Sequence, residues 1–344
     1  MKCSLKKGFL TFVCLFALLV FLCGFNTLLS DDYQLQQKQT THDKTRIVQE
    51  TNGLLLILII SAPFHTNERQ VVRQTWLSYL VNNSKSLGRS NVRAFKDPTD
   101  AADDLVIHYW FVCGHYYDNE NKIERAVNNE SNVYGDILRL EYTESYVLLV
   151  HKTLSSLRFA SKMDVRFVLK IDDDVYLHFP RMIWWLRTAS LPDKLYGGYL
   201  LPKTKVIRDP LHKWHVSEQH YNETYFPPYC NGPFYFMSKA VVLEVLEASF
   251  TEGSLVVSFP LEDVFIGILA QKVGVKPIQL KHVGVRIEPR IPKKAWKHWN
   301  DTNLIKHYAV GHGLTREQMF GFHSRYRKLP VNVSFPPIEP TLQP

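Results

Sequence analysis

Three consecutive aspartates, Asp172, Asp173 and Asp174, follow the apolar run Phe167-Val168-Leu169-Lys170-Ile171 and lead into Val175-Tyr176-Leu177. At the carboxyl end of a strand they stand where open α/β sheets collect ligands. Adjacent carboxylate oxygens suit a hard divalent cation that keeps positions free for phosphate oxygens. The triplet therefore points to a metal and diphosphate site; a solvated acidic face would spread through a polar segment. Alternation along an extended segment puts Asp172 and Asp174 on one side, which leaves Asp173 free to turn into the fold. A second acidic pair, Glu262 and Asp263, opens a helical pattern. Helix starts favour acids through the macrodipole, so one of the pair reads as capping and the other as a candidate general base. Arg69 and Arg73 share one side of an earlier helix. Such a pair can meet phosphate or uracil, or brace a carboxylate by bidentate pairing; donor-side contact is expected of Arg73.

The segments that must position these groups read as α/β. Residues 54–60 are continuously apolar, as in a central strand covered on both faces. Thr66 can cap a helix over 66–80 with Val72, Trp76 and Leu80 on one face. Strands are expected at 105–112, 137–140 and 165–171. Between the last two, a helix from Thr143 to about Ala160 carries the apolar stripe Tyr146, Leu149, Val150, Thr153, Leu154 and Leu157. That rhythm predicts a mostly parallel central sheet with flanking helices and right-handed crossovers. Gly197-Gly198, Pro227-Pro228 and Gly232-Pro233 then break the pattern, predicting a smaller mixed region of short antiparallel strands. Ser238 can cap a helix to Leu246, and another begins at Glu262.

The chain has 344 residues, 45% hydrophobic and 22% charged, enough to bury a full core as one large domain or two small ones. Lys2, Lys6 and Lys7 precede an uncharged run at 9–29, long enough to cross a hydrocarbon layer of roughly 30 Å as one transmembrane helix. A cleaved signal peptide would carry an apolar region of about 7–15 residues. The positive-inside rule leaves residues 1–8 in the cytosol and the remainder across the membrane. Residues 30–52 are polar and read as a stem, followed by a body at 53–328 and a C-terminal tail at 329–344. Asn-x-Ser/Thr sequons at Asn82, Asn129, Asn222, Asn300 and Asn332 agree with a lumenal body.

The formal net charge of +8, densest at Arg290, Lys293, Lys294 and Lys297, invites a nucleic-acid reading that this topology argues against. It suits steering of an anionic ligand instead. Of five cysteines only Cys113 and Cys230 lie in the body. An oxidising lumen permits a bridge between them, while Cys113 reads equally as a small buried core residue.

Four blocks occur in order: Glu68-Arg69-Gln70-Val71-Val72-Arg73-Gln74-Thr75-Trp76, Phe167 to Val175, Tyr225-Phe226-Pro227-Pro228-Tyr229-Cys230-Asn231-Gly232, and Leu261-Glu262-Asp263-Val264-Phe265-Ile266-Gly267. With them the chain resembles the β-1,3-glycosyltransferases of the galactosyltransferase type over about residues 53–325. The resemblance implies a GT-A-like fold, a UDP-sugar donor, Mn²⁺ dependence, and inverting transfer to a glycan on protein or lipid. It also implies a type II signal-anchored protein of the Golgi membrane with its catalytic domain in the lumen.

By the same resemblance Asp174 is the surest metal ligand, Asp172 meets metal or ribose, and Asp173 belongs to the donor site. His312, in Val310-Gly311-His312-Gly313, looks like the family's C-terminal metal-binding histidine, with His282 and His307 as fallbacks. The family often has Cys where Gly311 stands, which puts in doubt any partner for Cys230 there. Asp263 is expected as base, with Glu262 the alternative. Ser61, Arg69, Arg73 and Gly232 fall on the donor side; Trp214 and Tyr229 fall on the acceptor rim, where aromatic faces stack on sugars. Galactose is the expected sugar, N-acetylgalactosamine and N-acetylglucosamine the alternatives. A metal-dependent phosphoesterase would need a second metal's ligands, and beyond Asp174 the next segment offers only His178. A non-catalytic glycan-binding or assembly protein is the remaining rival. Association with itself or with other glycosyltransferases is left open.

Overall fold

Gly53–Ile60 forms strand β1, apolar throughout because it lies between two parallel neighbours, Asp104–His115 (β4) and Val165–Asp172 (β6). Leu55, Ile57 and Ile59 enter one apolar layer, Leu56, Leu58 and Ile60 the other. Both faces are covered, as a central parallel strand requires. The computed structural model describes residues 53–86, 92–96, 104–253, 255–284 and 299–334. The expected anchor at 9–29, the stem, the basic cluster Arg290, Lys293, Lys294 and Lys297, and residues 335–344 lie outside them. Among the described residues no helix is long and apolar enough to cross a membrane.

The main sheet is nine-stranded, in the order β12 (Ile278–Gln279), β8 (Tyr196–Leu201), β11 (Tyr229–Ser238), β6, β1, β4, β3 (Val92–Lys96) and β2 (Ser84–Ser86), with β5 (Ile137–Thr143) also paired to β4. Pairing is parallel through β5, β4, β1 and β6. It turns antiparallel at β11, against both β6 and β8, and at β3. The parallel rhythm thus describes the centre, the whole sheet is mixed, and with helices against it the layering fits a GT-A-like fold. A small sheet joins β13 (Val283–Gly284), β14 (Ala309–Val310) and β7 (Tyr176–Leu177), and β9 (Thr204–Lys205) pairs with β10 (Tyr225–Phe226).

Two helix expectations are corrected. The first helix, Thr66–Gln74 (α1), stops well before Leu80, and a separate helix follows at Ser78–Asn83 (α2). Thr75 breaks the run: its hydroxyl donates back to the Val71 carbonyl (2.7 Å), and Ser78 Oγ donates to the Thr75 carbonyl (2.5 Å), a competition that Thr and Ser commonly win over helix continuation. The helix expected from Thr143 starts later, at Leu149–Ser161, after a 3₁₀ turn at Tyr146–Leu148. There β5 runs on to pair Thr143 with His115, and the Glu144 N–H donates to the His115 carbonyl (2.6 Å). The Glu144 carboxylate meanwhile accepts from Lys152 Nζ and the Gly114 N–H. Tyr146 consequently leaves the apolar stripe and is 55% exposed.

The donor-side role expected of Arg69 and Arg73 is also corrected. Arg69 Nε and Nη2 donate to Glu130 (2.9 and 2.6 Å) on helix Lys122–Tyr134 (α3); Arg73 donates to Glu130 Oε1 (2.7 Å) and to both oxygens of Asp136 (2.9 and 2.7 Å). These guanidiniums brace carboxylates, the other role open to them, with Arg69 buried and Arg73 half-buried in doing so. Removing one partner of a buried pair strands the remaining charge. Glu130→Gln is therefore expected to cost about 3 kcal/mol of stability, read as a lower urea midpoint; an unchanged midpoint would show the network to be dispensable.

Cys113 and Cys230 are both unbonded and buried in different apolar layers, so the bridge left open by the sequence is not formed. Of the sequons, Asn129, Asn222, Asn300 and Asn332 are exposed, and Asn82 lies in α2.

Candidate active site

Strand alternation puts Lys170 and Asp172 on the same side of β6, and the chain turns directly into β7. Pairing of Tyr176 with Val310 and Leu177 with Ala309 brings the C-terminal segment beside the aspartates. The Leu314 N–H then donates to the Asp174 carbonyl (3.1 Å). Gly311 and Gly313, at φ +74 and +68, wrap His312, a backbone that glycine adopts without strain. A Cβ at Gly311 would lie 2.5 Å from Leu314 Cδ2, so the cysteine common there in the family does not fit this loop.

His312 Nε2 lies 3.8 Å from both Asp172 Oδ2 and Asp174 Oδ2, and the ligand atoms that these three residues offer lie within 4.8 Å of one another. Asp174 Oδ1 is buried with no hydrogen-bond partner among the described residues. Burial, then the charges of Asp172 and Asp173, push the Asp174 carboxyl up to about 8. An orphaned carboxylate oxygen beside a second carboxylate and an imidazole is the environment that a divalent cation would relieve, so the residues fit a metal. Asp173 is turned away from this group. It is buried, and its Oδ2 pairs with His65 Nδ1 at 2.9 Å.

The acidic pair opens helix Glu262–Lys272. Its approach to the aspartates depends on β11, whose register shifts between Cys230 and Tyr235. That bulge frees both backbone groups of Gly232. Its N–H donates to Asp263 Oδ2 (3.0 Å), and its carbonyl accepts from Lys170 Nζ (2.6 Å). Lys170, itself buried, also donates to Asp172 Oδ1 (2.6 Å) and lies 3.8 Å from Glu262 Oε2. One buried ammonium thus spans the cation cluster and the acidic pair.

The pair divides by environment. Glu262 is buried and accepts from the Tyr235 hydroxyl (2.6 Å). Asp263 is half-buried, with its second oxygen accepting from the Val264 N–H (2.9 Å). Burial raises the Asp263 carboxyl against those backbone donors. Burial pushes Glu262 up to about 7 from an ordinary value of 4.5, with Lys170 pulling the other way and Asp263 adding to the rise. A carboxyl raised in the folded state binds its proton more tightly there, so its contribution is fully present below about 4.5 and lost as pH rises through about 7. Glu262→Gln should therefore remove a loss of about 3 kcal/mol between those pH values, seen as a flatter dependence of unfolding free energy on pH. A parallel wild-type and variant curve would contradict this environment.

The rim needs one further correction. Tyr229 is buried, its Cβ packed on Gly267 and its ring edge-on to Phe226; it is packing and offers no face to a sugar. Trp214 is half-buried. Ser61 directly follows β1, but its hydroxyl faces Arg69 Nη1 (3.1 Å) and its carbonyl accepts from Lys152 Nζ (2.7 Å). Phe64 and Tyr116 are exposed beyond the carboxyl ends of β1 and β4, edge to face at 5.6 Å. Phe64 and Tyr116 carry no local sequence signal for this position. Lys170 had a signal, a lysine inside an apolar strand and two residues before Asp172.

The GT-A-like sheet thus carries an Asp-x-Asp pair at the carboxyl end of a central strand, a histidine beside it, and an acid that opens a helix and is joined to the pair through Lys170 and Gly232. The family model described as galactosyltransferase matches residues 67–281, and the chain belongs to that family, among its β-1,3-glycosyltransferases. Human UDP-GalNAc:beta-1,3-N-acetylgalactosaminyltransferase 1 is 29% identical over 63% of this chain and 59% of its own length. A mouse acetylgalactosaminyl-O-glycosyl-glycoprotein beta-1,3-N-acetylglucosaminyltransferase is 26% identical over 67% of this chain and 54% of its own. Rat beta-1,3-galactosyltransferase 4 is 27% identical over 65% and 61%. The chain thus spans about three fifths of the length of the curated relatives it matches.

Proposed function

We propose that this protein transfers a hexose, galactose first, from a UDP-sugar to the 3-hydroxyl of an acceptor glycan on protein or lipid, with inversion to a β-1,3 linkage. The observation that carries the reading is the continuous path from the cation cluster to the acidic pair, Asp172 to Lys170 to Gly232 to Asp263. Asp172, Asp174 and His312 would hold Mn²⁺, which when bound supplies Lewis-acid stabilisation of the departing diphosphate. Asp263 takes the proton of the acceptor hydroxyl as the new bond from its oxygen to the sugar's anomeric carbon forms. The bond from that carbon to the phosphate oxygen breaks on the opposite face, and UDP leaves. Two backbone N–H groups aim the Asp263 carboxylate, and its half-buried position lets an acceptor reach it, whereas Glu262 is held by Tyr235 and Lys170. Lys170 balances the acidic charge that the site concentrates. Phe64 and Tyr116 offer apolar surface at the nucleotide end. An uncleaved anchor at 9–29 would hold the body in the Golgi lumen as a type II membrane protein.

A second donor, UDP-N-acetylgalactosamine, is favoured by the likeness to the human N-acetylgalactosaminyltransferase. UDP release from a panel of UDP-sugars, with simple glycoside acceptors and Mn²⁺, separates the two. Fastest release from UDP-galactose, abolished by EDTA, is the expected result. Faster release from UDP-N-acetylgalactosamine selects the second reading, and release from none rejects both.

A further inference from the structure

Lys170 sits between Leu169 and Ile171 in β6, 2% exposed. Burying an ammonium is costly unless it is well paired, and an apolar side chain would complete the strand without that cost, so the lysine answers to its acceptors. An ammonium has three N–H donors, and three acceptors surround this one. Asp172 Oδ1 and the Gly232 carbonyl each lie 2.6 Å away, and Glu262 Oε2 lies 3.8 Å away. The ring of Tyr235, which pairs with Lys170 across the ladder, stands 5.8 Å from Nζ. Gly232 depends on that contact. Pairing of β11 with β6 reaches only to Phe234 opposite Ile171, and pairing with β8 lapses between Cys230 and Tyr235. Pro233 has no N–H with which to carry a ladder further. Side chains therefore fix Gly232, with Lys170 on its carbonyl and Asp263 Oδ2 on its N–H at 3.0 Å.

We propose that Lys170 is the positioning residue of the base: by holding the Gly232 carbonyl it fixes the Gly232 N–H that aims Asp263 at the acceptor hydroxyl. The inference rests on the transferase reading above. A glycine outside both ladders has wide backbone freedom, and a small rotation there swings its N–H away from the carboxylate. Asp263 would then keep only the bond from its neighbour's N–H, that of Val264, and lose its fixed direction. Placement of the reacting groups is a large part of a transfer rate. Asp172 and Glu262 anchor the ammonium from either side, so the hold on Gly232 is rigid. The cation cluster does not share this dependence. Lys170 takes Oδ1 of Asp172, whereas the oxygen facing His312 is Oδ2.

The test uses the full-length protein with Mn²⁺ and its best UDP-sugar. Lys170→Met is made together with Glu262→Gln, so that no lone carboxylate stays buried where the ammonium was; Asp172, 24% exposed, keeps access to water. Relative to Glu262→Gln alone, the added Lys170→Met should lower kcat about 10- to 100-fold, the worth of a hydrogen bond from a charged donor. Donor and acceptor KM should stay within about threefold. Made again beside Glu262→Gln and Asp263→Asn, the same Lys170→Met should cost less than about threefold, because its effect passes through the base already removed. Electron paramagnetic resonance titration of Mn²⁺ with UDP needs no turnover. It should give Lys170→Met with Glu262→Gln a Kd within about threefold of the wild type, which also shows the site to be folded. Loss of the bound ion, an unchanged kcat, or an equal kcat loss with and without Asp263 would overturn the proposal, while wild-type turnover leaves the transferase reading standing. Absence of wild-type turnover with every UDP-sugar overturns both.

Discussion

Asp174→Asn lowers the rate of sugar transfer by about 10³-fold while the protein remains folded. The rate effect follows from the position of the carboxylate: with Asp172 and His312 it would supply the charge to hold a divalent cation, and Lewis-acid stabilisation of a leaving phosphate is worth several kcal/mol, about tenfold in rate for each 1.36 kcal/mol. Folding should not suffer, and the physics gives the sign. The Asp174 carboxyl is raised to about 8 by burial and by Asp172 and Asp173, so near neutral pH its ionisation works against the folded state. Asparagine has the same shape and removes the like-charge repulsion. A melting temperature at or above that of the wild type, together with the lost rate, is the expected pair of results. Transfer within tenfold of wild type would remove Asp174 from the site.

Asp263→Asn lowers kcat by about 10²- to 10⁴-fold, the span typical of a lost general base, and leaves the donor KM within about twofold. The amide keeps an oxygen for one of the two backbone donors that fix the side chain but takes no proton from an alcohol. Glu262→Gln should cost less, because Glu262 is buried against Tyr235 and Lys170 and acts on its neighbour through charge. Steady-state kinetics of the two variants under one set of conditions decide the assignment. A larger kcat loss in Glu262→Gln would transfer the base to Glu262.

The elements nearest the site were legible because their signals are local. The all-apolar run 54–60 could serve only as a strand covered on both faces, and 165–171 followed by aspartates could end only at a sheet edge. What escaped depends on long-range partners. Nothing in residues 66–80 announces that Thr75 will bond back to Val71 and end α1, since threonine also sits in helices. Arg69 and Arg73 carry the same guanidinium whether they face phosphate or carboxylate, and Glu130 and Asp136, which engage them, lie far along the chain. Tyr146 kept the helical spacing of its neighbours, yet the pairing of Thr143 with His115 pulled the preceding residues into β5 and left the tyrosine outside the core. Tyr229 resembled a rim aromatic, and only the close approach of Gly267 shows it to be packing.

The proposed cation cluster and base have separate duties, and direct Mn²⁺ binding separates them most cleanly. Electron paramagnetic resonance titration of Mn²⁺ in the presence of UDP should show one bound ion in the wild type and in Asp263→Asn, and none at the same concentration in Asp174→Asn. Equal binding by the wild type and Asp174→Asn, or loss of the ion in Asp263→Asn, would contradict that division.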